Sequence, residues 1–137
     1  MAATRALGGE YALAAGAIAR AHALLPRQNG FSPGEHLLLV AQTFVAAARL
    51  DSADLAQSAD RLRRIPPHEP TRLSFAAYAD ATRFLIDRQY SAGIAAITHS
   101  THGADREVMP PLIHGLLLSL HATILTARGE PSRALTL

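Results

Sequence analysis

Helix-forming residues dominate this chain, and the signals of a β-strand are weak. Twenty-eight alanines and twenty leucines fill about a third of its 137 positions, and both residue types have high helix propensity. Runs of β-branched residues are missing, as are the alternating segments joined by two-residue turns that predict β-hairpins. The length fits one domain. The sequence therefore predicts an all-α protein.

The composition excludes several kinds of catalytic and metal site. The chain has no Lys, which removes the P-loop lysine, the ATP-anchoring lysine of kinases and any Schiff base. It has no Cys, which removes disulfides, thiol nucleophiles and cysteine-ligated metal centres. The net charge is only +2, far below the surplus that is typical of nucleic-acid binders. We therefore expect no direct binding of nucleic acid.

Neither a secretory signal nor a membrane span is expected. Glu10, Arg20 and His22 interrupt the N-terminal region, so it lacks the apolar centre of a signal peptide. The longest uncharged segment is 108–127, but its apolar run starts only at Leu112 and is shorter than the ~20 residues that a span needs. We interpret this segment as a buried core helix and expect a cytoplasmic protein that does not bind membranes.

Start and stop signals divide the chain into seven helices. The strongest signal is Ser32-Pro33-Gly34-Glu35, because Ser32 can cap a helix, Pro33 fits its first position and Glu35 completes a capping box. Prolines and glycines separate the other helices. The predicted helices span about residues 10–25, 33–50, 52–64, 71–88, 91 to beyond 97, 111–128 and 131–137.

Three turns between these helices are similar to one another. They run from Leu50 to Ala56, from Arg88 to Ile94 and from Arg128 to Leu135. Each contains a small residue at what we interpret as the same place, and a second small residue lies 12 positions earlier in two of them. Small residues at such points let the two helices of a hairpin approach closely. The small residues are Ala56, Gly93 and Ala134, with Ala81 and Ala122 as the earlier ones.

Two of these turns resemble the turn of a tetratricopeptide-like hairpin. The resemblance is carried by Ala122, Leu125, Gly129, Ala134 and Leu135 in one turn and by Ala81, Phe84, Tyr90, Gly93 and Ile94 in the other. The first hairpin departs from the pattern, because Phe44 stands where a small residue is expected. The Ala-, Leu- and Arg-rich texture of residues 35–137 is similar to the helical-repeat regions of actinobacterial regulators of the maltose-activator type, which end in a LuxR-type DNA-binding module.

The resemblance implies antiparallel helix hairpins stacked as a tetratricopeptide-like solenoid, and a compact helical bundle is the alternative. In such a solenoid the first helices of the pairs line a concave face. The candidate binding residues on that face are Phe75, Tyr78, Thr82, Leu85, Ser119 and Thr123. Residues 1–137 would form a single helical-repeat domain. Leu135 and Leu137 lie on the last predicted helix, and no further predicted helix is available to pack on them. We therefore expect a fragment of a longer regulatory protein.

Charged and titratable residues give weaker candidates. Arg61, Arg63, Arg64 and Arg72 form a basic patch that could meet phosphate or an acidic partner, although cations near a helix C-terminus are also stabilised without a ligand. The pair His99 and His102 precedes Asp105 and Glu107, a set that could bind a metal. The pair His114 and His121 shares one helix face and is more typical of hydrogen-bonded core histidines. We predict no metal site from either pair.

The sequence thus predicts a non-catalytic interaction or regulatory module that needs no cofactor. Its partner would be a protein, a peptide or a second copy, bound at the concave face or at the open C-terminal edge. Two alternatives stay open: a helical enzyme that uses histidines and carboxylates around a metal, and a small-molecule sensor with its ligand between helices near Tyr78 and His121.

Overall fold

The computed structural model describes residues 11–24, 34–66, 71–102 and 109–137, and this part of the chain is helical without strands. The helices are α1 Tyr11–Leu24, α2 Glu35–Ala48, α3 Ser52–Arg64, α4 Arg72–Ile86, α5 Tyr90–His102, α6 Pro111–Ala127 and α7 Pro131–Ala134. The predicted all-α class is therefore confirmed. The seventh helix ends earlier than expected, after a single turn.

Helix α3 begins and ends where local sequence signals place it. The side chain of Asp51 accepts a hydrogen bond from the backbone N–H of Asp54 at 3.0 Å, which satisfies one of the free donors at the helix start. At the other end Ile65 is extended, with ψ 140, because the following Pro66 disfavours the helical conformation in the residue before it.

The start of α2 differs from the prediction. The helix begins at Glu35, and Gly34 is its N-cap without a side-chain cap bond. The predicted cap Ser32 and first residue Pro33 lie outside the described residues. Glu35 remains in the first turn, where a carboxylate interacts favourably with the helix dipole.

The turns after α2, α4 and α6 share one backbone conformation. Each contains a residue with positive φ: 55° at Leu50, 59° at Arg88 and 90° at Gly129. In the first turn the N–H of Leu50 donates to the carbonyl of Ala47 at 3.1 Å, and the N–H of Asp51 donates to that of Ala46 at 2.9 Å. The same two bonds recur in the other turns. These Schellman turns satisfy the last carbonyls of each helix.

This common conformation corrects the predicted alignment of the first hairpin by one residue. Counted from the residue with positive φ, the position of Gly93 and Ala134 is taken by Leu55 and not by Ala56.

The earlier small position shifts by the same amount. Thr43, and not Phe44, is equivalent to Ala81 and Ala122. Thr43 is fully buried, and its hydroxyl donates to the carbonyl of Leu39 at 2.8 Å. The three hairpins therefore all carry a compact side chain at this point.

Helix packing follows the order of the chain. Each helix contacts the next, and in addition α2 contacts α4 and α4 contacts α6. Among the described residues α3 makes no comparable contact with α5, and α2 makes none with α6. The helix α4 thus lies between α2 and α6, and all its residues are buried or half-buried.

Two main core clusters lie on either side of α4. The first joins α2, α3 and α4, and its buried residues are Leu39, Ala46, Leu55, Ala59, Leu62, Ile65, Ala76 and Ala79. The second joins α4, α5 and α6, and its buried residues are Ala81, Ile97, Ile113, Leu117 and Ile124. Phe75 packs against both clusters, so it connects the two halves of the described structure.

The positive φ at two non-glycine positions predicts that glycine stabilises the protein there. We expect Leu50→Gly and Arg88→Gly each to raise the free energy of unfolding by about 1 kcal/mol, because glycine lacks the Cβ that strains this conformation. Equilibrium unfolding in urea measures the change. Arg49→Gly is the control, since Arg49 has φ −82 and should not be stabilised. Equal effects at Arg49 and Leu50 would contradict the strain argument.

Candidate interaction surfaces

The six predicted binding residues lie on the adjacent helices α4 and α6. Tyr78 and Ser119 hold equivalent positions relative to their turns, as do Thr82 and Thr123. Ser119 and Thr123 are exposed. Thr82 is buried, whereas Phe75, Tyr78 and Leu85 are half-buried. The α4 candidates thus contribute mainly to packing, and the α6 candidates are open to solvent.

An aromatic cluster joins α2 to α4. The ring of Phe44 lies 6.3 Å from that of Phe75 and 5.6 Å from that of Tyr78, both measured between centroids. His36 contacts Phe75 edge-on at 6.0 Å. Such aromatic pairs stabilise beyond the area that they bury. We call His36, Phe44, Phe75 and Tyr78 the aromatic cluster.

The sequence prediction missed Phe44 and His36. The signal for Phe44 was present, because Phe44 lies as far before its turn as Thr82 and Thr123 lie before theirs. The one-residue error in aligning the first hairpin concealed it. His36 had no comparable signal in the sequence, since its contact with Phe75 spans two helices.

Burial controls the polar groups of the aromatic cluster. Burial raises the pKa of the Tyr78 phenol, and a hydrogen bond with Thr82 opposes this effect. The phenol is therefore neutral at physiological pH. Nε2 of His36 lies 3.3 Å from Oγ1 of Thr71, which ties the start of α2 to the start of α4. The rings of Phe44, Phe75 and Tyr78 thus form a neutral aromatic contact between the two helices.

The predicted basic patch is partly neutralised. Arg63 on α3 pairs with Asp80 on α4, and Asp80 also accepts a hydrogen bond from Arg83 at 3.5 Å. Arg61 and Arg64 are exposed. Exposed ion pairs contribute little to stability, so the pairing of Arg63 mainly reduces the positive charge that this end of α3 presents.

Arg72, the fourth member, is half-buried in the first turn of α4. Its Nε is buried without a hydrogen-bond partner among the described residues. Arg72 is thus less available to a ligand than Arg61 and Arg64.

The two histidine pairs lie on the consecutive helices α5 and α6, and the charge of His102 acts on His121. His99 and His102 are exposed in the last turn of α5, and the nearby Asp105 and Glu107 lie outside the described residues. His114 and His121 are half-buried on α6. Within the described ranges no group of three or more His, Asp or Glu side chains is arranged to hold a metal.

The lowered pKa of His121 leads us to expect a loss of stability in acid. Burial, followed by the charges of Arg133 and His102, lowers the pKa of His121 below its ordinary value. The unfolded chain then binds more protons between the lowered pKa and about 6.5, so stability falls as the pH decreases through that window. We expect unfolding in urea to become easier from about pH 7 to about pH 5, and less so in His121→Gln. The exposed His99→Gln is the control and should keep the wild-type pH dependence.

One side of α6 remains uncovered. The helix contacts α4, α5 and α7, and it contains no Asp, Glu or Arg. Leu112 is 76% exposed and Leu135, just after α7, is 90% exposed. We call this side the α6 face. Its exposed residues are Leu112, Gly115, Ser119, Thr123 and Thr126, and its half-buried residues are Leu116 and Ala122.

Neither α6 nor any other helix in the described ranges has the length and apolar character needed to cross a bilayer. Comparisons with protein-family models, curated proteins and solved structures find no match to this chain.

Proposed function

We propose that the chain is a non-catalytic helical-repeat module that binds a protein or peptide partner. The observation that carries this proposal is the packing order. Helix α4 contacts α2 on one side and α6 on the other, while α2 and α6 make no contact in the described part. A compact bundle closes around one core and brings its first and last helices together. A solenoid extends by contacts between neighbouring repeats.

The repeated turns support a solenoid of hairpins. Three Schellman turns with the same hydrogen bonds end α2, α4 and α6, which supports taking these three helices as the first members of successive pairs. A stack of such pairs buries a core that no single hairpin could bury. The similarity to the repeat regions of actinobacterial maltose-activator-type regulators favours a bacterial regulatory or signalling protein as the host.

The row of first helices is the surface that we assign to binding. It presents Leu37 of α2, which is 71% exposed and lies seven residues, about two turns, before the half-buried Phe44. Phe44 in turn contacts the half-buried Tyr78 of α4. Ser119 and Thr123 continue the row on α6. None of these side chains is charged, so the row suits an apolar face of a helix or an extended peptide.

Selection from a phage-displayed library of random peptides tests the proposal. We expect the protein to enrich peptides with apolar anchors, and we expect Leu37→Arg to weaken their binding at least about tenfold, because a charge would be buried without a partner. Gln57→Arg on the exposed side of α3 is the matched control and should bind normally. Failure to enrich any peptide, or equal losses in both variants, would contradict the proposal.

A further inference from the structure

The α6 face has a self-complementary distribution of large and small side chains. Its N-terminal half carries Leu112 and Leu116, and its C-terminal half carries the smaller Ala122 and Thr126. Two residues that lie the same number of positions before and after Ser119 therefore form a pair of one larger and one smaller side chain. These combinations are Leu112 with Thr126, Gly115 with Thr123, and Leu116 with Ala122.

The polar groups of this face are largely satisfied within the helix. The hydroxyl of Thr123 donates to the carbonyl of Ser119 at 2.9 Å, and that of Thr126 donates to the carbonyl of Ala122 at 2.8 Å. Burying the face would thus leave these two threonine donors paired, which avoids the penalty of an unsatisfied buried group. Ser119 is the remaining hydroxyl, and it lies at the centre of the pattern.

We propose that the α6 face binds the α6 face of a second copy of this chain, antiparallel, with Ser119 at the two-fold axis. This inference rests on the proposed function, because it names the partner of one surface of the module. In this arrangement each leucine of one copy lies opposite a small residue of the other. The antiparallel helices also align their dipoles favourably.

The absence of charge on α6 favours this partner. A two-fold interface brings the same patch of both copies together, so a charged side chain at the axis would meet its own like charge. A Cβ at Gly115 would meet open space, because no described atom beyond its chain neighbours and its own helix backbone lies within 4 Å. A partner helix can therefore approach closely at this point, where its Thr123 would lie.

Light scattering with size-exclusion chromatography tests the dimer with variants that place like or opposite charges at the two-fold axis. The wild-type chain should have about twice the monomer mass of 14.6 kDa. Ser119→Arg and Ser119→Glu should each be monomeric, because like charges face each other. A mixture of the two variants should restore the dimer. Thr98→Arg, at an exposed position of α5, is the control and should remain dimeric.

Gly115→Ala separates association from folding. Alanine has the higher helix propensity, so the melting temperature of the monomer should rise, while the new methyl group at the interface should weaken dimerisation several-fold. A monomeric wild type, two dimeric charge variants or a mixture that stays monomeric would overturn the inference.

The dimer would cover Ser119 and Thr123, which also belong to the row assigned to peptides, but not Leu37 on α2. A monomeric wild type whose selected peptides are weakened by Leu37→Arg would leave the proposed function intact. A dimer that binds no peptide, together with a dissociated Gly115→Ala chain that binds none, would contradict that function alone.

Discussion

Leu117→Ala is expected to lower the free energy of unfolding by about 2–5 kcal/mol, as large-to-small substitutions at fully buried sites do. Leu117 is completely buried on α6, and it belongs to the cluster that joins α6 to α4 and α5. Removing its side chain both forfeits apolar burial and leaves a cavity, since close-packed neighbours relax only in part. Equilibrium unfolding in urea measures the loss.

Leu135→Ala is the matched control for this prediction. Leu135 is 90% exposed, so the same substitution there should change the free energy of unfolding by less than about 0.5 kcal/mol. Comparable losses at Leu117 and Leu135 would show that α6 does not pack on α4 and α5 as described.

Gly93→Leu is expected to lower the free energy of unfolding by about 1–3 kcal/mol, the usual effect of overpacking. A Cβ at Gly93 would lie 3.0 Å from Cδ1 of Ile124, 3.4 Å from Cβ of Phe84 and 3.6 Å from the carbonyl oxygen of Ala81. A leucine would therefore have to displace Ile124 of α6 and push α5 away from α4. Thermal and urea unfolding measure the effect. Ala95→Leu, at an exposed position of the same helix, is the control and should be nearly neutral.

The first hairpin suggests how this damage can be relieved. There the position of Gly93 is taken by Leu55 and the position of Phe84 by Ala46, both in one core cluster. Large and small side chains are thus exchanged across the two hairpins. We expect Phe84→Ala to recover part of the stability lost in Gly93→Leu, which a double-mutant cycle measures. If the stability losses of Gly93→Leu and Phe84→Ala simply add in the double variant, the two side chains do not share one space.

Local signals in the sequence predicted most helix ends. The cap at Asp51 and the stop at Pro66 depend on hydrogen bonds and steric clashes between residues at most a few positions apart. Gly129 also had a recognisable signal, since glycine at a helix C-terminus favours positive φ. Leu50 and Arg88 adopt the same conformation without such a signal, because neither residue type prefers it.

The candidate binding face was predicted in part. Ser119 and Thr123 are exposed as a binding role requires, but Thr82 is buried, and its hydroxyl donates to the carbonyl of Tyr78 at 2.8 Å. Phe44 was missed because of the one-residue error in aligning the first hairpin, and His36 was missed because its contact with Phe75 joins residues far apart in the chain. Alignment by residue size alone misplaced the first hairpin, where Leu55 stands in the position of a glycine.

By itself, the sequence determined that this protein is helical and where most of its helices begin and end, because these properties depend on interactions within one or two helical turns. Only the tertiary structure decided which residues are equivalent between hairpins and which surfaces stay open. The physical reason is that two side chains together must fill the space where the helices of a hairpin meet. Leu55 with Ala46 fills it with the large residue on the second helix, and Gly93 with Phe84 fills it with the large residue on the first. The size of one side chain therefore does not identify its position unless the other is known.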